Sequence, residues 1–238
     1  MLRFENVCFS YPGGDPVLDG ISFEITEGEK AGLIGANGAG KSTLLKCVTG
    51  LLESRGDITV SGLKVCRENL AEIRKKVGYV LQDPDNQMFM PRVIDDMVFG
   101  PVNYGMTREE AEANADQVLG DLGISRLRDR YNHRISGGEK RMAAIATVLA
   151  MEPDIMLMDE PSSSLDPKNR RSLINTVIGL DKTMLIASHD LDMILDTCSR
   201  VILLDHGHVI ADGKTDEILR DRQLLESHSL ELPLSLSR

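Results

Sequence analysis

Residues Gly35 to Thr43 read GANGAGKST, a fit to the phosphate-binding pattern G-x-x-x-x-G-K-[ST] with Gly35 and Gly40 as its fixed glycines, then Lys41 and Ser42. The pattern demands a particular local fold. The apolar run Ala31 to Ile34 ahead of it reads as a short buried strand, and Thr43 to Val48 behind it carries helical spacing at Leu44, Leu45 and Val48. Strand, glycine loop and helix together turn consecutive backbone N–H groups inward at the positive end of a helix, where a polyphosphate can sit. Lys41 would then reach the outer phosphates and Ser42 would ligate Mg²⁺. The bland alternative is a glycine-rich turn that happens to precede Lys-Ser.

Around this centre, 238 residues with 42% hydrophobic content suffice for one large α/β domain or a domain with a subdomain. Aromatics are 4% and Trp is absent, so aliphatic side chains and Met must fill the core. A formal charge of −10 argues against holding nucleic acid by phosphate neutralisation over a broad surface. The basic clusters Arg74-Lys75-Lys76 and Arg126 to Arg134 read as solvated faces. Cys8, Cys47, Cys66 and Cys198 form no C-x-x-C, so neither a zinc site nor a disulfide framework is expected, and a reducing compartment is the simplest inference. The start MLRFENVCFS lacks the basic and apolar regions of a signal peptide, and no apolar run approaches the ~20 residues of a membrane helix. A soluble chain is expected, with any membrane role borrowed from a partner.

Leu2 to Val7 alternates as a half-buried strand does, Phe9 to Gly14 reads as a turn-rich loop, and Val17 to Glu24 as another strand. Tyr11 on that loop is placed to stack on an adenine ring, or to sit at the edge of the core. Asp57 to Val60 and Val77 to Leu81 read as strands flanking a Lys/Arg-rich amphipathic stretch. Gln82 opens the run QDPDNQMFMP, whose Met88, Phe89 and Met90 are expected at the surface unless a partner or the loop itself covers them. Helical spacing follows from Asp95 to Gly123: Thr107 and Glu110 make a capping-box signature, and Ala111, Ala115, Val118, Leu119 and Leu122 share a face. No strand pattern interrupts until Ile155, so a helical subdomain over approximately 85–150 is expected inside an α/β domain.

Ser136-Gly137-Gly138 leads into a helix with Met142, Ile145, Ala146 and Leu149 on one face. Free glycine N–H groups and the Ser136 hydroxyl would make a second anion-binding terminus. In isolation a ligand-free N-cap is the favoured reading of this segment. Ile155 to Met158 then reads as a buried parallel strand that presents Asp159 and Glu160 at its end, the first placed to hold Mg²⁺ and the second to orient and deprotonate water. Thr183 to Ser188 is a similar strand with His189 at its end, a plausible γ-phosphate contact. Val201 to Leu204 and His208 to Ala211 read as a hairpin through His206-Gly207, and the H-x-H it contains has no third ligand nearby.

In this order the segments resemble the ATPase subunit of an ATP-binding-cassette (ABC) transporter, from the first strand to about residue 215. Tyr11 resembles the adenine-stacking aromatic. Gly35 to Thr43, with Asn37, Gly38, Ala39 and Gly40 within it, resembles the Walker A loop, and Gln82 the Q-loop glutamine. Ser136-Gly137-Gly138 is similar to the signature LSGGQ, Asp159 and Glu160 to the Walker B aspartate and catalytic glutamate, Ser163 to Asp166 to the D-loop, and His189 to the switch histidine. Gln82 to Phe89 further resembles the QNPDDQLF pattern of the energy-coupling-factor group, whose members power uptake of cobalt, nickel or vitamins. Departures are Asp83, Asn86, Ile135 and Glu139, and a short tail, since the chain stops soon after Pro233 where many relatives continue.

The resemblance implies a P-loop NTPase core with an antiparallel β edge and an inserted α-helical subdomain, an ATPase domain over residues 1–215, and a short extension at 216–238. It implies ATP and Mg²⁺ as cofactors, with Mg²⁺ held by Ser42, Gln82 and Asp159. Glu160, His189, Lys41 and Gln82 are the implied catalytic set. Ser136, Gly137 and Gly138 are implied to act in trans, on nucleotide held by a second ATPase subunit that is a copy or a paralogue. Implied too are a transmembrane transporter subunit as partner, no nucleic acid, a peripheral place on the cytoplasmic face of the membrane, and uptake of a metal ion or vitamin. A soluble clamp acting on DNA or ribosomes shares this ATPase core, but usually carries coiled-coil insertions or two cassettes in one chain. A phosphotransferring kinase leaves Ser136-Gly137-Gly138 and Glu160 unexplained.

Overall fold

The computed structural model describes residues 2–237. Strand β1 (Leu2–Ser10) pairs antiparallel with β2 (Pro16–Ile25), and Phe9 and Ser10, expected in a loop, belong to the strand. Next come β3 (Lys30–Ile34), helix α1 (Lys41–Val48), β4 (Arg55–Val60), β5 (Leu63–Lys64), α2 (Leu70–Lys76) and β6 (Val77–Val80). Three helices follow without an intervening strand: α3 (Val93–Asn103), α4 (Arg108–Asp121) and α5 (Gly137–Leu149). The chain then returns through β7 (Ile155–Asp159), α6 (Pro167–Gly179), β8 (Thr183–Ala187), α7 (Leu191–Thr197), β9 (Arg200–Asp205), β10 (His208–Lys214), α8 (Thr215–Arg220) and α9 (Arg222–Ser227).

Two sheets result. One is antiparallel, in the order β2-β1-β4-β5; the other has the order β10-β9-β3-β8-β7-β6 and is parallel except for β10. The hairpin joining β9 to β10 turns at His206 and Gly207, both with positive φ, as a tight two-residue turn requires. Side chains alternate across the parallel sheet, so Ile155, Leu157 and Asp159 face α1 and the antiparallel sheet while Met156 and Met158 face the other way. In β6 the same alternation places Val77 and Tyr79 on the α1 face and Val80 on the opposite one. Ligand chemistry in such sheets collects beyond the carboxyl ends of the strands, where Ile34, Asp159 and Ala187 end their runs.

Helices α3, α4 and α5 pack on one another through Val93, Ile94, Met97, Ala111, Ala115, Leu119, Met142 and Ile145. The expected capping box is present: Thr107 Oγ1 accepts from the Glu110 amide at 3.2 Å, and Glu110 Oε2 accepts from the Thr107 amide at 2.8 Å. The helical pattern expected from Asp95 is two helices, the first starting at Val93. Met88 corrects the sequence-based expectation of an exposed Met88-Phe89-Met90 run, because it is 6% exposed and lies in the core. The cause is the buried Asp96 carboxylate, which accepts from the amides of Phe89 (3.1 Å) and Met90 (3.0 Å) and from Asn132 Nδ2 (2.5 Å). That grip turns Met88 inward and Phe89 outward, where Phe89 meets the exposed Phe99 edge-to-face with centroids 5.0 Å apart.

Beyond residue 215, Ile218, Leu219, Leu225 and Leu230 join the same core as the helices. The last described turn then docks on α7, where the Asp192 carboxylate accepts from the amides of Leu234 and Ser235 at 3.0 Å each. Among the described residues no helix is long and apolar enough to cross a membrane.

Met88→Asp, by placing a charge in the interior, is expected to cost more than about 3 kcal/mol in urea unfolding. Phe89→Asp forfeits one exposed aromatic pair and should cost less than about 1.5 kcal/mol. Comparable losses for the two variants would contradict the opposite orientations of these side chains.

Candidate functional site

At the carboxyl edge of the parallel sheet the chain leaves β3 through Gly35, whose φ is +151° and whose added Cβ would run into the Leu204 carbonyl. Only glycine fits. The loop then turns at Gly38 and Gly40, both left-handed, and delivers Lys41 and Ser42 as the first two residues of α1. Lys41 is buried, and its ammonium donates to the Gly35 carbonyl at 2.7 Å and the Ala36 carbonyl at 3.3 Å. Burial holds its pKa below the usual lysine value, against the opposing pull of Glu160 and Asp159.

Ser42 Oγ donates to Asp159 Oδ1 at 2.8 Å, and the Tyr79 hydroxyl donates to Asp159 Oδ2 at 3.1 Å. Glu160 follows with φ +47°, outside the strand conformation, and its amide donates to the Ala187 carbonyl at 2.8 Å. Its buried carboxylate accepts from the Ser188 hydroxyl at 3.3 Å and the His189 amide at 3.1 Å, lies 2.7 Å from His189 Nδ1, and approaches the Lys41 ammonium at 3.9 Å. Carboxylate, imidazole and ammonium thus form one connected set.

Tyr11, Asn37, Gly38, Ala39, Gly40, Lys41, Ser42, Thr43, Gln82 and Glu160 line one cleft of about 350 Å³. Tyr11 stands at its rim, 44% exposed, with its hydroxyl 3.4 Å from Thr43 Oγ1. Gly35 and Asp159 lie beneath it, and His189 opens onto a neighbouring cleft with Ser162 to Leu165. None of Ser136, Gly137 and Gly138 lines the phosphate-loop cleft; Gly137 borders a separate one with Asp83, Lys140 and Arg141.

Ser136 is the ligand-free N-cap that the segment in isolation suggests. Its hydroxyl donates to Glu139 Oε2 at 3.0 Å and accepts from the Glu139 amide at 3.3 Å, while Glu139 Oε2 also takes the Ser136 amide at 3.0 Å. The residue that departs from LSGGQ therefore closes a capping box on its own motif. These bonds, the Ser136 amide first, hold the Glu139 carboxyl below its ordinary pKa.

Three residues in this region make ties that sequence reasoning did not assign. Arg141, 3% exposed, donates to the Leu81 carbonyl at 2.7 Å and also to the Gln82 carbonyl, tying α5 to the segment that bears Gln82. Gln87 adds a second tie, accepting from the Leu81 amide at 3.0 Å and donating to the Ala144 carbonyl at 2.7 Å. Tyr79 is the third, and period-two alternation, which places it on the Asp159 face, is its signal. The donor set fits Mg²⁺: a hydroxyl and a carboxylate oxygen already within 2.8 Å of each other, and the Gln82 amide on the same cleft, are hard oxygen ligands with room for phosphate oxygens and water.

Residues 18–163 match the ABC transporter family. This chain belongs to that family. An energy-coupling factor transporter ATP-binding protein, EcfA of Carboxydothermus hydrogenoformans, is 44% identical over 98% of this chain and 87% of its own length. A Geobacter sulfurreducens relative, provisionally named as an ABC transporter ATP-binding protein, is 45% identical over 99% of this chain and 95% of its own. Among solved structures, cbiO1 of Clostridium perfringens, part of the ABC transporter complex cbiONQ, superposes with a TM-score of 0.84 at 34% identity, covering 98% of this chain and 95% of its own. The fold is that of an ABC nucleotide-binding domain, and the chain is an ABC transporter ATPase subunit that binds ATP.

Replacing Arg141 of this ABC ATPase with Met keeps the bulk but leaves the Leu81 and Gln82 carbonyls without their buried donor. We expect a loss of about 2–4 kcal/mol in chemical denaturation, and a lower kcat at saturating ATP with a smaller change in KM. An unchanged kcat would mean that the tie does not hold Gln82 in place.

Proposed function

We propose that this ATPase powers uptake of a metal ion or vitamin through a membrane partner, by closing head to tail on ATP with a second ATPase subunit. One observation carries the dimer: the cleft that holds the phosphate loop lacks any contribution from Ser136, Gly137 and Gly138, although their helix start has the amide donors for an anion. A second subunit, a copy or a paralogue, supplies them in trans. Without nucleotide two acidic chains have little reason to close, and charge-assisted hydrogen bonds from both sides of a γ-phosphate provide one. To donate there, the Ser136 hydroxyl exchanges its bond to Glu139 for one to phosphate.

In the closed site Tyr11 stacks on the base, and the amides of Asn37 to Thr43 cradle the phosphates. Lys41 moves its ammonium from the Gly35 and Ala36 carbonyls to phosphate oxygens. Ser42, Gln82 and Asp159 would hold Mg²⁺, which when bound neutralises charge on the phosphates. Glu160 accepts a proton from water as the water oxygen attacks the γ-phosphorus and the bond to the β–γ bridging oxygen breaks. His189, 2.7 Å from Glu160, keeps that carboxylate aimed and donates to the charge that develops.

The uptake role draws on two supports, the energy-coupling-factor name of a 44% identical relative and the outward Phe89 and Phe99 pair beside the Gln82 loop. With Met88 in the core, Phe89, Phe99 and Val102 remain as the apolar surface for a membrane subunit, which would place the chain peripherally at the cytoplasmic face of the membrane.

Glu160→Gln should slow ATP hydrolysis at least ~100-fold while ATP still binds, and gel filtration in saturating MgATP should show a dimer. A variant that remains monomeric under those conditions would overturn the shared site.

A further inference from the structure

We propose that Tyr79 is a positioning residue for Mg²⁺, holding the Asp159 carboxylate by Oδ2 so that Oδ1 alone faces Ser42 and the metal. Asp159 is 3% exposed, and its two oxygens have different partners: Ser42 Oγ on Oδ1 at 2.8 Å and the Tyr79 hydroxyl on Oδ2 at 3.1 Å. The partners differ in what they can do next. Ser42 stands on the phosphate loop helix, and its hydroxyl must turn its lone pair to the metal when the site fills, which releases Oδ1. A carboxylate with one remaining free rotation would then swing between its two oxygens. Tyr79 prevents this because it takes no part in the phosphate loop and sits on the neighbouring strand, two residues before the point opposite Asp159. In the register of β6 and β7, Tyr79 pairs with Leu157 and the phenol spans one further step along the same face. Val77 and Ile155 on the same face leave the ring wedged against the apolar core under α1. A bond from outside the ligand set that orients a metal-ligating group typically changes metal affinity by 10- to 100-fold when it is lost.

This role rests on Asp159 holding Mg²⁺ as proposed above, and the test separates the two. Tyr79→Phe keeps the ring and removes the hydroxyl; Tyr79→Leu removes both. For each, and for Asp159→Asn, two quantities are measured on the full chain: affinity for a fluorescent ATP analogue in EDTA, and binding of Mn²⁺ to the ATP-loaded protein from loss of the free-ion EPR signal, with Mg²⁺ as competitor. The expected result is unchanged metal-free nucleotide affinity in Tyr79→Phe, with metal affinity about 10-fold weaker, and a larger loss in Asp159→Asn. Tyr79→Phe and Tyr79→Leu both within twofold of the parent, beside a clear loss in Asp159→Asn, would overturn the role of Tyr79 alone. Wild-type metal binding in Asp159→Asn would overturn both.

Discussion

A single carboxylate joins the parts that make this site. Asp159 ends β7, takes the Ser42 hydroxyl from the first turn of α1, and takes the Tyr79 hydroxyl from β6, so phosphate loop, central strand and edge strand meet at two oxygens. An ionised group this deeply buried is tolerated only when its lone pairs are satisfied and a cation is near. The Lys41 ammonium supplies that charge, itself desolvated and folded onto its own loop. Apolar packing above and below the sheet then fixes how far apart these elements stand, which is why a cleft lined from four separate stretches of chain keeps its shape.

Much of this was legible in the residue order. A glycine loop between a buried strand and a helix has few physical solutions, and Ala31 to Ile34, Thr183 to Ala187 and Ile155 to Asp159 are apolar runs too short for helices. Thr107 and Glu110 announced their cap because a capping box is local, made within one turn. What sequence reasoning missed depends on neighbours far along the chain. Met88 reads as surface beside Pro84, Asp85 and Pro91, and only the Asp96 carboxylate reaching two loop amides turns it inward. Arg141 reads as one more charge on a polar helix start, since its acceptors are carbonyls some sixty residues away. Ser136 and Glu139 were the opposite case. Their spacing makes a local capping box, so the residues alone favoured a ligand-free cap, and only the resemblance to LSGGQ pointed to an anion there.

The same capping box gives the helix start of α5 a balance between two anions. Glu139 occupies it internally, with Arg126 donating to the other carboxylate oxygen at 3.1 Å, so under the proposed shared site an incoming phosphate would compete with a tethered negative group for the Ser136 hydroxyl. The Gly137 and Gly138 amides stay out of that contest. A helix end capped in this way is well formed on its own, and in the proposed closed site only the Ser136 hydroxyl would have to change partner.

The double tie of Arg141 and Gln87 has a mechanical meaning. Loops between packed layers usually act as hinges, absorbing displacement through their own torsions. Here the carbonyl of Leu81 is held directly by Arg141 of α5 and its amide by Gln87, whose side chain in turn bonds the Ala144 carbonyl of α5, so torsional slack is removed where a hinge would otherwise sit. Under the proposed docking of a membrane subunit at Phe89 and Phe99, a push there would reach Gln82 with little lost to backbone torsion, and the three-helix layer would work as a lever whose short arm ends at the phosphates.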